Sequence, residues 1–352
     1  MAFRFTDDQR DLADGVNRLL ADRAGGDFAR AVAKGEADWR DLWAEIAEMG
    51  IAALMVPEEN GGLGLGPIEL VAVAETIGRY LAPGPLVATA GWFAPAAAAA
   101  GGPLGPRLEA VAAEGAAATL GYSDPLRGSA RIALDGDRLS VEDLLVPDLE
   151  RVDWLGFVLE AEEGGGARVA VLPAAAVSAL DTPPSLDPGR PLTRIRAEGV
   201  EAIVATVPAG ALSPLTVPFV TAAAELVGIA ARMLEISVEY AREREQFGQK
   251  IGSFQAIKHR LADAGVMVEK ARSLTYRAAV VAAEGDADAL QVAHLAKGAA
   301  SEVATEVARS AVQVHGGVGM TVEADISQFY LRARQAAMVL GDRDFHYLAA
   351  GG

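Results

Sequence analysis

The sequence predicts a mainly α-helical protein with a central β domain of antiparallel strands, in the order helices, strands, helix bundle. Three textures along the chain predict it. From Thr6 to about Ala100 apolar residues recur at helical spacing. From about Ala116 to Val207 the apolar runs are short and separated by Gly, Pro and Asp clusters, as in strands. From Pro214 onward long amphipathic segments are joined by short connections, which favours antiparallel packing of helices.

Each element has its own signal. Thr6-Asp7-Asp8 is a helix start with acids in the first turn, followed by Leu12, Val16, Leu19 and Leu20 at helical spacing. A second helix is expected over Trp39–Met49, with Leu42, Trp43, Ile46 and Met49 on one face. The stretch from Val56 to Gly64 holds Pro57 and three glycines and is a loop, and a further helix fits Pro67 to Tyr80. Leu86 to Gly102, apolar and Ala-rich, reads as a buried helix interrupted at Pro95. In the middle, Ala117–Gly121, Leu155–Leu159 and Val169–Leu172 read as strands. Asp135-Gly136-Asp137 is a hairpin turn and Gly164-Gly165-Gly166 a flexible one. Helices are then expected over Val217–Glu245, Phe254–Glu284 and Ala287–His315, broken at Phe247-Gly248 and Gly285-Asp286. These readings divide the chain into an N-terminal helical domain (1–115), a central β domain (116–207) and a C-terminal bundle (208–352).

Composition narrows the function. With 51% hydrophobic and 22% charged residues the chain can bury a substantial core and is not disordered. A net charge of −17 argues against nucleic acid or an anionic membrane as partner, because both need basic surface. Without cysteine there is no disulfide, thiol nucleophile or cysteine metal site. The start is charged from Arg4 and lacks the apolar core of a signal peptide, and the apolar run Val217–Leu234 carries Glu225 and Arg232. A cytoplasmic protein with no membrane span is therefore expected. Histidines 259, 294, 315 and 346 show no metal-ligand spacing, so each reads as an ordinary structural or surface residue and no metal is expected. The glycines at 61–66 follow no strand and do not make a dinucleotide-binding fingerprint.

Two segments are unusual for a plain bundle. In Arg244-Glu245-Gln246-Phe247-Gly248-Gln249-Lys250-Ile251, followed by Phe254-Gln255, a helix ends in ordinary C-terminal chemistry. Arg244 also offers a guanidinium fork to a pyrophosphate. In Gln313-Val314-His315-Gly316-Gly317-Val318-Gly319-Met320-Thr321 the glycines can be a stop signal, or can let backbone N–H groups approach a phosphate without a Cβ in the way.

In this order and spacing the two segments resemble the acyl-CoA dehydrogenase family. RxxFGxxIxxFQ stands here as Arg244 to Gln255, and QxHGGxGxTxE as Gln313 to Glu323, followed by Tyr330-Leu331-Arg332. Met55 to Gly64 resembles the family's VPEExGGxG loop, Glu75-Thr76-Ile77-Gly78 its next helix, and Ser185-Leu186-Asp187 with Arg190 its last strand region before the bundle. The resemblance covers nearly the whole chain. It implies a helical domain, a β domain and a four-helix bundle. It further implies FAD bound between β domain and bundle, and a dimer or tetramer that shares FAD between chains. Arg244 and Phe247 would contact the neighbour's FAD. Gln313, Gly316 and Gly317 would face its adenosine diphosphate portion, with Gln255 nearby. The implied reaction is α,β-dehydrogenation of an acyl-CoA thioester. A carboxylate takes the α-proton, the β-hydrogen leaves as hydride to the flavin, and an electron-transferring flavoprotein is the usual acceptor.

The chain departs from the family at the base. The usual Glu, placed after the Leu-Arg of Leu331-Arg332, falls on Gly341, and the minority position on the first bundle helix falls on Pro218. Asp342 can stand in if the loop shifts by one residue; otherwise it is a surface acid on a loop. Glu225, two turns beyond Pro218, can serve instead, or can be a buried or interface carboxylate paired with an arginine. The flavin-lining segments of the β domain are degenerate, at Leu120-Gly121-Tyr122-Ser123-Asp124-Pro125 and Glu142-Asp143-Leu144-Leu145-Val146. The chain also ends 11 residues after Gly341, where the family continues with a last helix. Contacts to a neighbour's FAD are retained and contacts to its own are eroded. Two readings follow: an active dehydrogenase with an unconventional base, or a non-catalytic subunit completing the FAD site of a related chain. The second pattern resembles the shorter chain of bacterial heterotetramers that act on steroid side chains.

Overall fold

The computed structural model describes residues 4–123, 130–159, 166–321 and 323–351. The N-terminal layer begins with α1 (Asp7–Arg23). The Thr6 hydroxyl accepts from the Gln9 N–H and the Gln9 side chain accepts from the Thr6 N–H, a reciprocal cap. Helices α2 (Gly26–Ala33), α3 (Arg40–Glu48) and α4 (Pro67–Gly78) follow. The apolar stretch expected as one helix is instead a π-helical turn, Ala88–Phe93, running into α5 (Ala94–Ala100). Pro95 sits in the first turn of α5, where its missing N–H has no partner to lose. Helix α6 (Gly105–Ala113) closes the layer.

The strands form two four-stranded sheets. One has the order β1 (Ala118–Gly121), β4 (Trp154–Leu159), β5 (Arg168–Pro173), β8 (Ile203–Thr206). The other runs β2 (Arg131–Asp135), β3 (Arg138–Pro147), β7 (Leu192–Glu201), β6 (Ser178–Asp181). The expected all-antiparallel domain needs one correction, because β1 pairs β4 in parallel, Ala118 opposite Trp154. The hairpin turn at Gly136-Asp137 joins β2 to β3 as expected, with Gly136 at φ +60°. Gly164 and Gly165 of the second expected turn lie outside the described residues, as do Asp124 and Pro125. Leu139, Val141, Leu155, Phe157, Leu172 and Ile195 fill the space between the sheets.

The bundle consists of α7 (Thr216–Glu243), α8 (Gln255–Ala283), α9 (Ala289–His315) and α10 (Asp325–Ala336). Between α7 and α8 stands a small hairpin, β9 (Glu245–Gln246) and β10 (Gln249–Lys250). Helix α7 is apolar and long enough to cross a membrane by length and composition, yet 83% of its most apolar window is buried inside the fold. Ala222, Ala223 and Ala224 are buried, the mark of close helix packing. Where α4 crosses α7, Gly78 and Gly228 bring the backbones together. A Cβ on Gly78 would lie 2.1 Å from the Glu225 carbonyl oxygen. A helix does follow Gly341: α11 (Arg343–Gly351) forms and docks on α9.

Candidate functional site

One end of the bundle gathers the first set of candidate residues. Tyr240 of α7 stacks on His315 of α9 at 4.3 Å between ring centroids, and Ala241, Ile251 and Val314 form a small core between the helix ends. That core brings the β9–β10 hairpin beside the C-terminus of α9. Phe247 and Gly248 make its two-residue turn, at φ +53° and +78°, as a tight hairpin requires. Arg244, Gln255, Gln313, Gly316 and Gly317 are all exposed, and Phe247 is 92% exposed. Nothing lies within 4 Å of where a Cβ would stand on Gly316 or Gly317. A guanidinium fork, a free aromatic face and open backbone can together take up a pyrophosphate and an adjoining ring system.

The second set lies at a cleft of about 540 Å³ between the β domain and the bundle. Tyr122, Ser123, Leu144 and Leu145 line one side; Gln335 and residues 338–341 line the other. The degenerate segments therefore do face this cleft, but largely with apolar groups. Ser123 donates to the Ala130 carbonyl, and Asp143, on a bulge of β3, pairs with Arg194 at 2.9 Å.

Neither base candidate is free for chemistry in the cleft. Gly341 adopts φ +97°, and a Cβ there would sit 2.5 Å from Phe345 and 3.1 Å from His346. Asp342 is buried rather than a surface acid. Its Oδ1 accepts the Phe345 N–H at 2.9 Å, capping α11. Pro218 is buried in the first turn of α7. Glu225 is paired with an arginine, as one sequence reading held: Arg190 Nη1 donates to it at 2.7 Å.

That pair belongs to a buried network the sequence did not reveal. Arg190 also pairs with Asp148 at 3.3 Å, and Arg332 with Asp187 while donating to the Ala82 carbonyl. Gln335 donates to the Arg190 carbonyl at 2.6 Å and accepts the Asp187 N–H. Burial disfavours the Arg190 charge, but Glu225, Asp148 and Asp187 outweigh it and raise its pKa above the ordinary value. The network thus ties the strand region around Asp187 to α7 and α10. Lys297 was also missed. It is wholly buried in the apolar face of α9, and a lone lysine among Ala293, Ala296, Ala300 and Ala304 was the available signal.

A helical layer, a two-sheet domain and a bundle, with a cleft between the last two, define a flavin-dependent dehydrogenase architecture. The comparisons agree. Residues 6–103 match the acyl-CoA dehydrogenase N-terminal domain and residues 211–349 the C-terminal domain. Acyl-CoA dehydrogenase IpdE2 of Mycobacterium tuberculosis is 33% identical over 94% of this chain and 92% of its own length. Acyl-CoA dehydrogenase FadE27 of the same organism is 30% identical over 97% and 95%. Among solved structures, the Tcur3481–Tcur3483 steroid ACAD superposes with a TM-score of 0.85 at 26% identity, covering 98% of this chain and 97% of that one. The ChsE4–ChsE5 complex of Mycobacterium tuberculosis gives 0.84 at 27%, covering 100% and 98%. The chain belongs to the acyl-CoA dehydrogenase family, whose cofactor is FAD and whose reaction is dehydrogenation of acyl-CoA.

Proposed function

We propose that this chain is the base-lacking subunit of a heteromeric acyl-CoA dehydrogenase and completes the FAD site of a related catalytic chain. The observation that carries this is the packing at Gly341. Phe345 and His346 occupy the space a side chain would need there. Asp342 caps α11 and Glu225 is held by Arg190, so neither of these two carboxylates is offered to an α-proton. The hairpin end of the bundle has the opposite character. The open space over Gly316 and Gly317 and the exposed Arg244 and Phe247 fit the diphosphate-bearing half of FAD. Bound FAD supplies the hydride acceptor. On this reading Arg244 would hold phosphate oxygens, Phe247 would pack on the cofactor, and Gln255 and Gln313 would flank it. The pairing in the names of the ChsE4–ChsE5 and Tcur3481–Tcur3483 structures supports a heteromer, and the second supports a steroid-derived acyl-CoA as substrate. An electron-transferring flavoprotein as acceptor and a cytoplasmic location complete the proposal.

The visible spectrum of the purified chain tests it. Colourless protein that gains FAD and activity only when mixed with a related chain is the expected result. Yellow protein bleached by an acyl-CoA alone would overturn it in favour of the second reading, an active enzyme, which the intact 540 Å³ cleft favours. In that event Asp342→Asn decides whether Asp342 is the base, since lost turnover with an intact fold would assign it.

A further inference from the structure

The wall of the cleft formed by residues 338–341 is backed by a buried lysine that no step of the proposed function uses. Leu340 and Gly341 both have positive φ, +59° and +97°, and for a leucine that conformation is strained. Behind the turn stands Lys297. Its Nζ lies 3.0 Å from Ser301 Oγ, 3.3 Å from the Gly341 carbonyl oxygen, and 3.4 Å from those of Ala336 and Ala337. The last two belong to the final turn of α10, whose carbonyls have no partner within the helix. His346 adds a contact to the Leu340 carbonyl at 3.0 Å and meets His294 at 2.8 Å.

We infer that Lys297 is a positioning residue for the cleft: its amine, anchored on α9, holds the Leu340–Gly341 turn in the strained form that makes one wall. This goes beyond the subunit assignment and stands whether or not the chain turns over substrate. The amine gathers three carbonyls on the side of the turn away from the cleft, which leaves Met338, Val339 and Leu340 to line it.

The amine leaves a pH signature that a merely space-filling residue would not. Burial lowers the Lys297 pKa to about 7, against the pull of Glu225 on α7 and Asp342 in the turn. The other groups facing it are His346 of α11, His294 and Ser301 of α9. Burial lowers the pKa of both histidines well below 7, so they stay neutral there, and the amine titrates above them. Opening the turn returns the amine to its ordinary value of 10.5. The open form then binds more protons, and closing is favoured as pH rises.

Hydrogen exchange of the full chain, corrected for the intrinsic chemical rate, reads this directly. Protection of residues 338–346 should rise at least tenfold between pH 7 and pH 9, while residues 244–250 do not change. Lys297→Met should abolish the rise and leave the turn at least tenfold less protected than wild type at pH 9. Should that variant not fold, Ser301→Ala, which removes one partner of the amine, should weaken protection of the turn several-fold at both pH values. Flat wild-type protection, an equal rise at 244–250, a Lys297→Met profile parallel to wild type, or unchanged protection in Ser301→Ala would each overturn the inference.

Discussion

Two turns of this molecule share a backbone form and differ in everything else. Phe247-Gly248 and Leu340-Gly341 each place a bulky residue and then a glycine at positive φ. Phe247 is 92% exposed at the tip of a hairpin, with open space around Gly248. Leu340 is 3% exposed, and Gly341 is pressed against Phe345 and His346. The strain at the second turn is offset by burial and by the contacts of Lys297 and His346. At the first, Phe247 meets Phe254 edge-on across 6.2 Å and otherwise faces outward. The comparison teaches that one backbone form serves two ends: around Gly341 the chain has closed in, while around Gly248 it stays open.

The comparison can be broken by experiment, beginning with the closed region. Glu225→Ala leaves Arg190 buried and short of a partner, and should cost about 3–5 kcal/mol in urea unfolding. Acid should act next. Burial lowers the pKa of His294 to about 4 and that of His346 to about 2, below their ordinary 6.5. The unfolded chain therefore takes up protons first. Stability is full above about pH 6.5 and falls toward pH 4, by on the order of 3 kcal/mol from His294 alone, measurable as a lower urea midpoint at pH 4.5 than at pH 7. Gly341→Glu, which puts a carboxylate where the proposed function has the base missing, should cost roughly 1–3 kcal/mol in backbone strain. It should yield no flavin bleaching on addition of an acyl-CoA. A gain of turnover there would break the comparison outright. Arg244→Ala should change stability by less than about 0.5 kcal/mol, as expected of an exposed residue, yet lower FAD retention in the assembled enzyme. The smallest effect on folding is thus expected at the site with the clearest effect on cofactor.

Much of this was legible in the sequence where a pattern has one physical meaning. The apolar spacing of α7, α8 and α9 set those helices to within two residues, and Gly136 marked its hairpin. The helix ends at Arg244 and Gly316 were legible because a local stop motif needs no tertiary information to be recognised. The parallel pairing of β1 with β4 was not, since strand partners 36 residues apart leave no local trace. Nor was the cap role of Asp342, because the helix it starts holds itself by docking Phe345 and His346 rather than by its own length. The Asp148–Arg190–Glu225 and Asp187–Arg332 pairs are likewise products of folding. Charges that meet from four separate segments look, in the sequence, like any other surface charges.

The near-contact of backbones at Gly78 and Gly228 reaches further than helix packing. The helices before residue 115 and the bundle share one continuous apolar core, and Leu120, Val158, Val169, Val171 and Ala205 of the sheet β1-β4-β5-β8 belong to it too. The space between the two sheets holds a second cluster. Heating should therefore unfold the first and last thirds of the polypeptide together, in an order that the sequence of the chain does not suggest, and carry that sheet with them. A truncation that removes α4 takes part of the bundle's interior with it.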